Sequence, residues 1–176
     1  MLKILCLNVG LLIAATLGTT VQDISVIKEL GDKLSFSIYA PSHVESATSY
    51  EIKEPSNINQ TDIPAVLINY FNDKGSYVFG VREMKNGSDI NHENTVFDVK
   101  NNTRKSEVVK KKFSFVPRGE LVSINGNKAW YEGYIGKNAT GGTLKWLDSG
   151  TYIELDTTEL SRSSLINIAK SMKKIE

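Results

Sequence analysis

Residues 144–155 read LKWLDSGTYIEL, and within them Asp148-Ser149-Gly150-Thr151 spells the Asp-[Ser/Thr]-Gly-[Ser/Thr] signature of aspartic proteases. The fold turns on how this stretch is taken. A catalytic loop needs a second such aspartate, from another lobe or subunit, to share one proton. It also needs substantial sheet after the motif to cradle it. Only 25 residues follow Thr151, and most carry a helical pattern. A hairpin turn needs two comparable strands, and TLKWL and TYIEL supply them. Gly150 then takes the left-handed position of a three-residue loop, Asp148-Ser149-Gly150. The turn is the better reading, and it commits the second half of the chain to antiparallel sheet.

Working outward, ELVSI and KAWYEGYI flank Asn125-Gly126-Asn127, a hairpin signal because Asn-Gly accommodates positive φ. Beyond the sheet, Leu165, Ile168, Ala169 and Met172 fall at helical spacing. Ser161 is the expected cap, and Lys170, Lys173 and Lys174 are expected in the last turns, where cations suit the helix dipole. In the first half, PAVLINYF and SYVFGVREM flank Asn72-Asp73-Lys74-Gly75. Val66, Ile68 and Tyr70 share one face of that hairpin, and Tyr77, Phe79 and Val81 one face of its return strand. QDISVIKELGDK reads as a short helix capped by Asp23, with Ile24, Val26 and Ile27 on one side and Gly31 as its stop. Leu34, Phe36 and Ile38 alternate as a strand ended by Pro41, and TSYEIKEP is a weaker strand. SNINQTD and KNGSDINHEN read as loops, TVFDVKNN as a short strand, and SEVVKKKFSFV as a strand ended by Pro117. The expectation is a single α+β domain over residues 22–176. It has a curved, half-barrel-like antiparallel sheet of about seven to nine strands, with a short N-terminal helix and an amphipathic C-terminal helix on one face.

The first residues, MLKILCLNVGLLIAATLGTT, carry Lys3 and then an apolar run from Ile4 to Gly18 broken by Asn8 and Thr16. Small side chains at Thr16 and Gly18 suit a signal peptidase site, so residues 1–18 read as a secretory signal. An uncleaved anchor is the other reading, since residues 4–21 reach the lower edge of a membrane span and form a possible tether. Either places the rest outside the cell or on the outer face of the cytoplasmic membrane. Cleavage after Gly18 removes Lys3 and the sole cysteine, Cys6, and leaves 20 acidic side chains against 20 basic (21 less Lys3). A formal net charge of +1 on the whole chain argues against a dedicated nucleic-acid binder, which needs a basic surplus. Sequons at Asn59, Asn86, Asn101 and Asn138 are chance matches in an Asn-rich chain.

Residues that carry chemistry are sparse. His43 and His92 are the only histidines, in no metal-binding motif, and no Gly-x-Ser-x-Gly elbow is present. Asp89, Asn91 and Glu93 alternate like calcium ligands but lack the closing pattern of a calcium loop. Lys110, Lys111 and Lys112 form the densest basic run. They read as guards of an edge strand, or as a contact for anionic headgroups or wall polymers. On a strand they alternate sides. Trp130 and Tyr134 share a face, as do Trp146 and Tyr152 if the register is regular; they line the core or a ligand groove. No catalytic, cofactor-binding or metal residue is assigned, no cofactor is expected, and the chain reads as a non-enzyme.

Gly126, Ala129, Trp146, Gly150, Tyr152, Ala169 and Ser171, with Phe36, Tyr39 and Pro41, carry a resemblance. The chain resembles, over about residues 22–175, an extracytoplasmic domain of unknown function from Firmicutes, found in anti-sigma-factor and sporulation-related proteins. That family is distantly similar to the lipoprotein-carrier and sigma-regulator half-barrel. The resemblance implies a Gram-positive, non-catalytic domain that binds or senses an unknown protein or apolar ligand at the cell surface. This chain departs from the anti-sigma arrangement, since residues 1–21 leave no room for a cytoplasmic sigma-binding part. Two alternatives stay open. One is a carrier of a lipid or lipopeptide in the hollow of the sheet; the other is a secreted hydrolase with a dispersed Asp/Glu site. An open apolar cavity favours the first, facing carboxylates in a polar cleft the second, and a filled core with neither a protein-interaction module.

Overall fold

The structure, a computed structural model, describes residues 19–20, 24–44, 46–54, 63–136 and 140–176. The expected signal or anchor lies outside them, apart from Thr19 and Thr20, which form the strand β1 (Thr19–Thr20). There follow α1 (Ser25–Gly31), β2 (Tyr39–Pro41), β3 (Ser49–Glu54), β4 (Ala65–Phe71), β5 (Tyr77–Lys85), β6 (Asp89–Asp98) and β7 (Thr103–Lys112). Then come β8 (Glu120–Ile124), β9 (Asn127–Gly133), β10 (Gly142–Asp148), β11 (Thr151–Thr157), α2 (Arg162–Ser171) and β12 (Met172–Lys174). Eight strands make one open sheet in the order β1-β3-β4-β5-β11-β10-β9-β8, antiparallel at every pairing. The fold is α+β, as the residue pattern implies.

One face of the sheet carries the core. Ile68 and Tyr70 of β4, Phe79 and Val81 of β5, and Ile153 and Leu155 of β11 are buried there with Leu144 and Trp146 of β10. Tyr70 stacks on Phe79 with ring centroids 4.4 Å apart. Ile27 and Leu30 of α1 and Leu165, Ile168 and Ala169 of α2 belong to the same cluster, so both helices cover one face. The Ser161 hydroxyl caps α2, accepting from the Ser164 N–H at 3.2 Å. Asp23, the expected cap of α1, lies outside the described residues, and Ile24 holds the cap position with no side-chain bond. After Ser171 the chain turns extended and Met172–Lys174 pair with β2. Lys173 and Lys174 therefore stand on a strand, not in the last helical turn where spacing alone puts them.

Other expectations change for physical reasons. Residues 34–38 form no strand. Their carbonyls find other donors, the Thr151 hydroxyl at Ser37 O (2.9 Å) and the Ile175 N–H at Ile38 O (2.9 Å). The alternation of Leu34, Phe36 and Ile38 reflects packing on the core instead of a ladder. The β4–β5 hairpin has a register shift at Tyr70/Phe71, which sets Tyr77 against Phe71 and off the face of Phe79. The turn at Asp148 holds two residues, not three: Ser149 (φ 47) and Gly150 (φ 83) join Asp148 directly to Thr151. Asn125 (φ 50) and Gly126 (φ 87) do the same for β8 and β9. KNGSDINHEN, read as loop, supplies most of β6, and TVFDVKNN supplies its end.

Candidate functional site

The Asp148 motif is a turn. The Asp148 carboxylate accepts from Asn127 Nδ2 at 3.1 Å and from the Ser149 hydroxyl at 2.9 Å. Thr151 is buried, its hydroxyl spent on Ser37 O. All four motif residues thus serve the β10–β11 junction.

The other named residues disperse. His43 sits between β2 and β3, its carbonyl accepting from the Ser171 hydroxyl at 3.3 Å. His92 lies on β6 opposite Val109. Asp89, Asn91 and Glu93 lie on a strand, opposite Lys112, Lys110 and Val108, so they form no calcium loop. Lys112 pairs with Asp89 at 2.9 Å, and its ammonium holds that carboxyl below the usual range. The alternation read in the lysine run holds, since Lys110 and Lys112 share one face and Lys111 takes the other. Asn86 and Asn101 are exposed in turns, and Asn59 and Asn138 lie outside the described residues. Among the described residues no group of three or more His, Cys, Asp or Glu could hold a metal ion, and no helix is long and apolar enough to cross a membrane.

The aromatics do not line one wall. Trp146 pairs with Ile153 and is buried in the core, while Tyr152 pairs with Leu147 on the opposite face. There the segment after β7 lies across the sheet. Phe113 and Phe115 pack on Tyr152 at centroid distances of 4.8 and 5.2 Å, and Phe115 meets Trp130 edge-on at 5.4 Å. Tyr134 is exposed. On the same face the Tyr77 hydroxyl donates to Asp156 at 2.6 Å, and the Tyr152 hydroxyl donates to Glu154. These two carboxylates stand side by side on β11, not across a cleft from one another.

Sequence reasoning missed one buried acid. Glu83 of β5 is fully buried on the core face, beside Val66 and Ile153. Both its oxygens face the Tyr39 N–H, at 3.0 and 3.1 Å. Burial drives its pKa well above the usual carboxylate range, and the Tyr39 bond offsets part of that. It ties the start of β2, which belongs to the separate β2–β12 pair, to the main sheet. The void between α2 and the sheet, beside Tyr39, Ile124 and Trp146, measures only about 10 Å³. A larger open cleft of about 810 Å³ lies outside the sheet, floored by Pro41, Val44 and Ile175 and rimmed by Lys28, Lys173 and Lys174.

The remaining feature is the β6–β7 ribbon. Its ten register pairs run from Asp89↔Lys112 to Asp98↔Thr103. At about 3.4 Å per residue it is roughly 34 Å long. It pairs with no other strand of the described structure. The residues of β7 are exposed apart from Val109. Isolated two-stranded ribbons are marginal in water, and this one is held at its root. The Phe113 N–H donates to Ser88 O at 2.8 Å, the Asn86 N–H donates to Gly150 O at 2.9 Å, and Phe113 and Phe115 are wedged on Tyr152. Large apolar side chains nevertheless stay in water along it: Val96 is 67% exposed, Phe97 56%, Val99 81% and Val108 64%.

The chain matches no family model, no curated protein and no solved structure.

Proposed function

We propose that this chain is an extracytoplasmic, non-catalytic binding module that holds the β6–β7 ribbon out to a partner at the cell surface. The observation that carries this reading is a ribbon that pairs with no other strand among the described residues, is rooted on the sheet by Phe113 and Phe115, and leaves Val96, Phe97 and Val99 exposed at its tip. Apolar groups on a monomer's surface are normal singly; here they gather at the tip of one solvated element, where Val96, Phe97 and Val99 are close in sequence. The residues behind the family resemblance fit this division. Gly126 and Gly150 shape turns, while Ala129, Trp146 and Ala169 are core, so what the resemblance implies is the half-barrel-like body and not the partner. A lipid carried in the hollow of the sheet is not favoured, because that space is occupied by side chains.

A second reading rests on the open cleft, whose apolar floor is rimmed by Lys28, Lys173 and Lys174 against one acid, Glu176, and so leans toward a small anionic ligand. Photo-crosslinking separates the two on cells of the source organism, with p-benzoylphenylalanine placed in the full chain at Val96 or at Lys173. Adducts from Val96 alone support the ribbon. Adducts from Lys173 alone transfer the function to the cleft and overturn the ribbon reading.

A further inference from the structure

We infer that the occupant of the ribbon tip is an anionic membrane surface. This inference rests on the reading of the ribbon as the binding element and names its partner. Register decides the matter. Opposed residues share a face and successive ones alternate. Phe97 stands opposite Arg104 on one face, and Val96 stands opposite Lys105 on the other. Each face of the tip therefore offers one large apolar group beside one cation, and Val99 crowns the loop between them. A flat, rigid protein surface can cover only one face of a ribbon. A fluid layer of headgroups closes around both.

Charge agrees. Residues 97–105 hold Lys100, Arg104 and Lys105 against a single acid, Asp98. That acid is committed to the turn: it accepts from the Lys100 N–H at 2.9 Å, the Asn101 N–H at 3.2 Å and Asn101 Nδ2 at 2.8 Å. With Asn102 in the left-handed region (φ 49), these bonds fix the loop that exposes Val99.

Depth is limited by the backbone. Among the described residues the outward edges of β6 and β7 pair with no other strand, and backbone N–H and C=O groups left so are not tolerated in hydrocarbon. Interfacial segments settle about 5–10 Å into the headgroup boundary. At strand spacing this is two or three residues, enough to take in Val99, Phe97 and Val96, while Arg104 and Lys105, level with Phe97 and Val96, reach back to the headgroups on their long stems.

The test is hydrogen–deuterium exchange on the full chain with vesicles, read at residues 96–105. Any association through the N-terminal segment is common to all vesicles and does not report on the tip. With phosphatidylcholine vesicles containing about a third phosphatidylglycerol, exchange at the tip is expected to slow about tenfold or more. With pure phosphatidylcholine it is expected to match the chain alone. Phe97→Ser with Val99→Ser, or Lys100→Ala with Arg104→Ala and Lys105→Ala, should abolish the slowing; these side chains are exposed, and an unchanged thermal melt verifies the fold. Tip exchange that is equal in both vesicles, or slowing that survives either set of substitutions, overturns the inference. If the Val96 crosslinker then captures a protein and no lipid, the ribbon remains the binding element and the membrane is not its partner. If Val96 captures nothing while Lys173 does, the ribbon reading itself fails.

Discussion

Glu83 should make this protein less stable as pH rises through the weakly acidic range, and a single substitution isolates the effect. In the folded chain the carboxyl is fully buried between Val66 and Ile153, with the Tyr39 N–H as its hydrogen-bond donor. Burial raises its folded pKa well above the ordinary value. Unfolded, the same group titrates near 4.3, to within about a unit. Below that pH both states hold the proton and stability is at its full value. Above it the unfolded chain releases a proton that the folded chain keeps. Unfolding free energy then falls by about 1.4 kcal/mol per pH unit, until the folded pKa is reached and the loss levels off. Glu83→Gln keeps an acceptor for the Tyr39 N–H and removes the titration. Its extra amide N–H costs about 1–3 kcal/mol at every pH, so the slope and not the offset is diagnostic. Urea unfolding followed by Trp fluorescence between pH 4 and 8 supplies the readout. The difference, variant minus wild type, should climb with pH at about 1.4 kcal/mol per unit and then flatten. A difference that is flat or falling across this range would refute the argument.

Ser161→Ala removes the cap of α2 and should lower stability by about 1 kcal/mol, seen as a lower urea midpoint at unchanged slope. Gly141 has φ +80, and a Cβ there would lie 2.0 Å from the Thr157 carbonyl oxygen. Gly141→Ala should therefore cost about 3 kcal/mol or more, measured by thermal melting, and a near-neutral outcome contradicts the geometry. Asp148→Asn keeps an acceptor for Asn127 Nδ2 and should cost about 1 kcal/mol or less in the same melt, as expected of a turn residue.

The hairpins were legible because their signals are local. Asn125-Gly126 and Ser149-Gly150 force tight turns wherever two apolar runs flank them. The length of the second turn was harder to read, and it matters. A three-residue loop would set Trp146 against Tyr152; the two-residue loop shifts the register by one and puts them on opposite faces. Tyr77 was misplaced for a similar reason, since the register shift beside it breaks a parity that otherwise holds. Glu83 had a signal in the sequence: it shares parity with Phe79 and Val81, so the core face was predictable and only the tolerance of a carboxyl there was not. The ribbon was hidden by its solvation. Residues 94–98 of β6 are exposed on both faces and need no alternating polarity, and the Asn- and Asp-rich sequence of the strand reads as loop. Its pairing is set by β7 and by the turn around Asp98, which a window over either strand alone does not contain.

The strand order has a consequence for how the chain is made. β11 lies between β5 and β10, and β12 closes on β2 through partners as far apart as Tyr39 and Lys174, 135 positions (174 − 39) in sequence. During synthesis, β3, β4 and β5 can pair with one another, but β5 keeps a bare edge until residues 151–157 emerge. The apolar face they share stays open until α2 follows. Most of the polypeptide must therefore exist before any of it is stably closed. A chain with that order stays loose while it is being made, and it locks only when its last elements arrive.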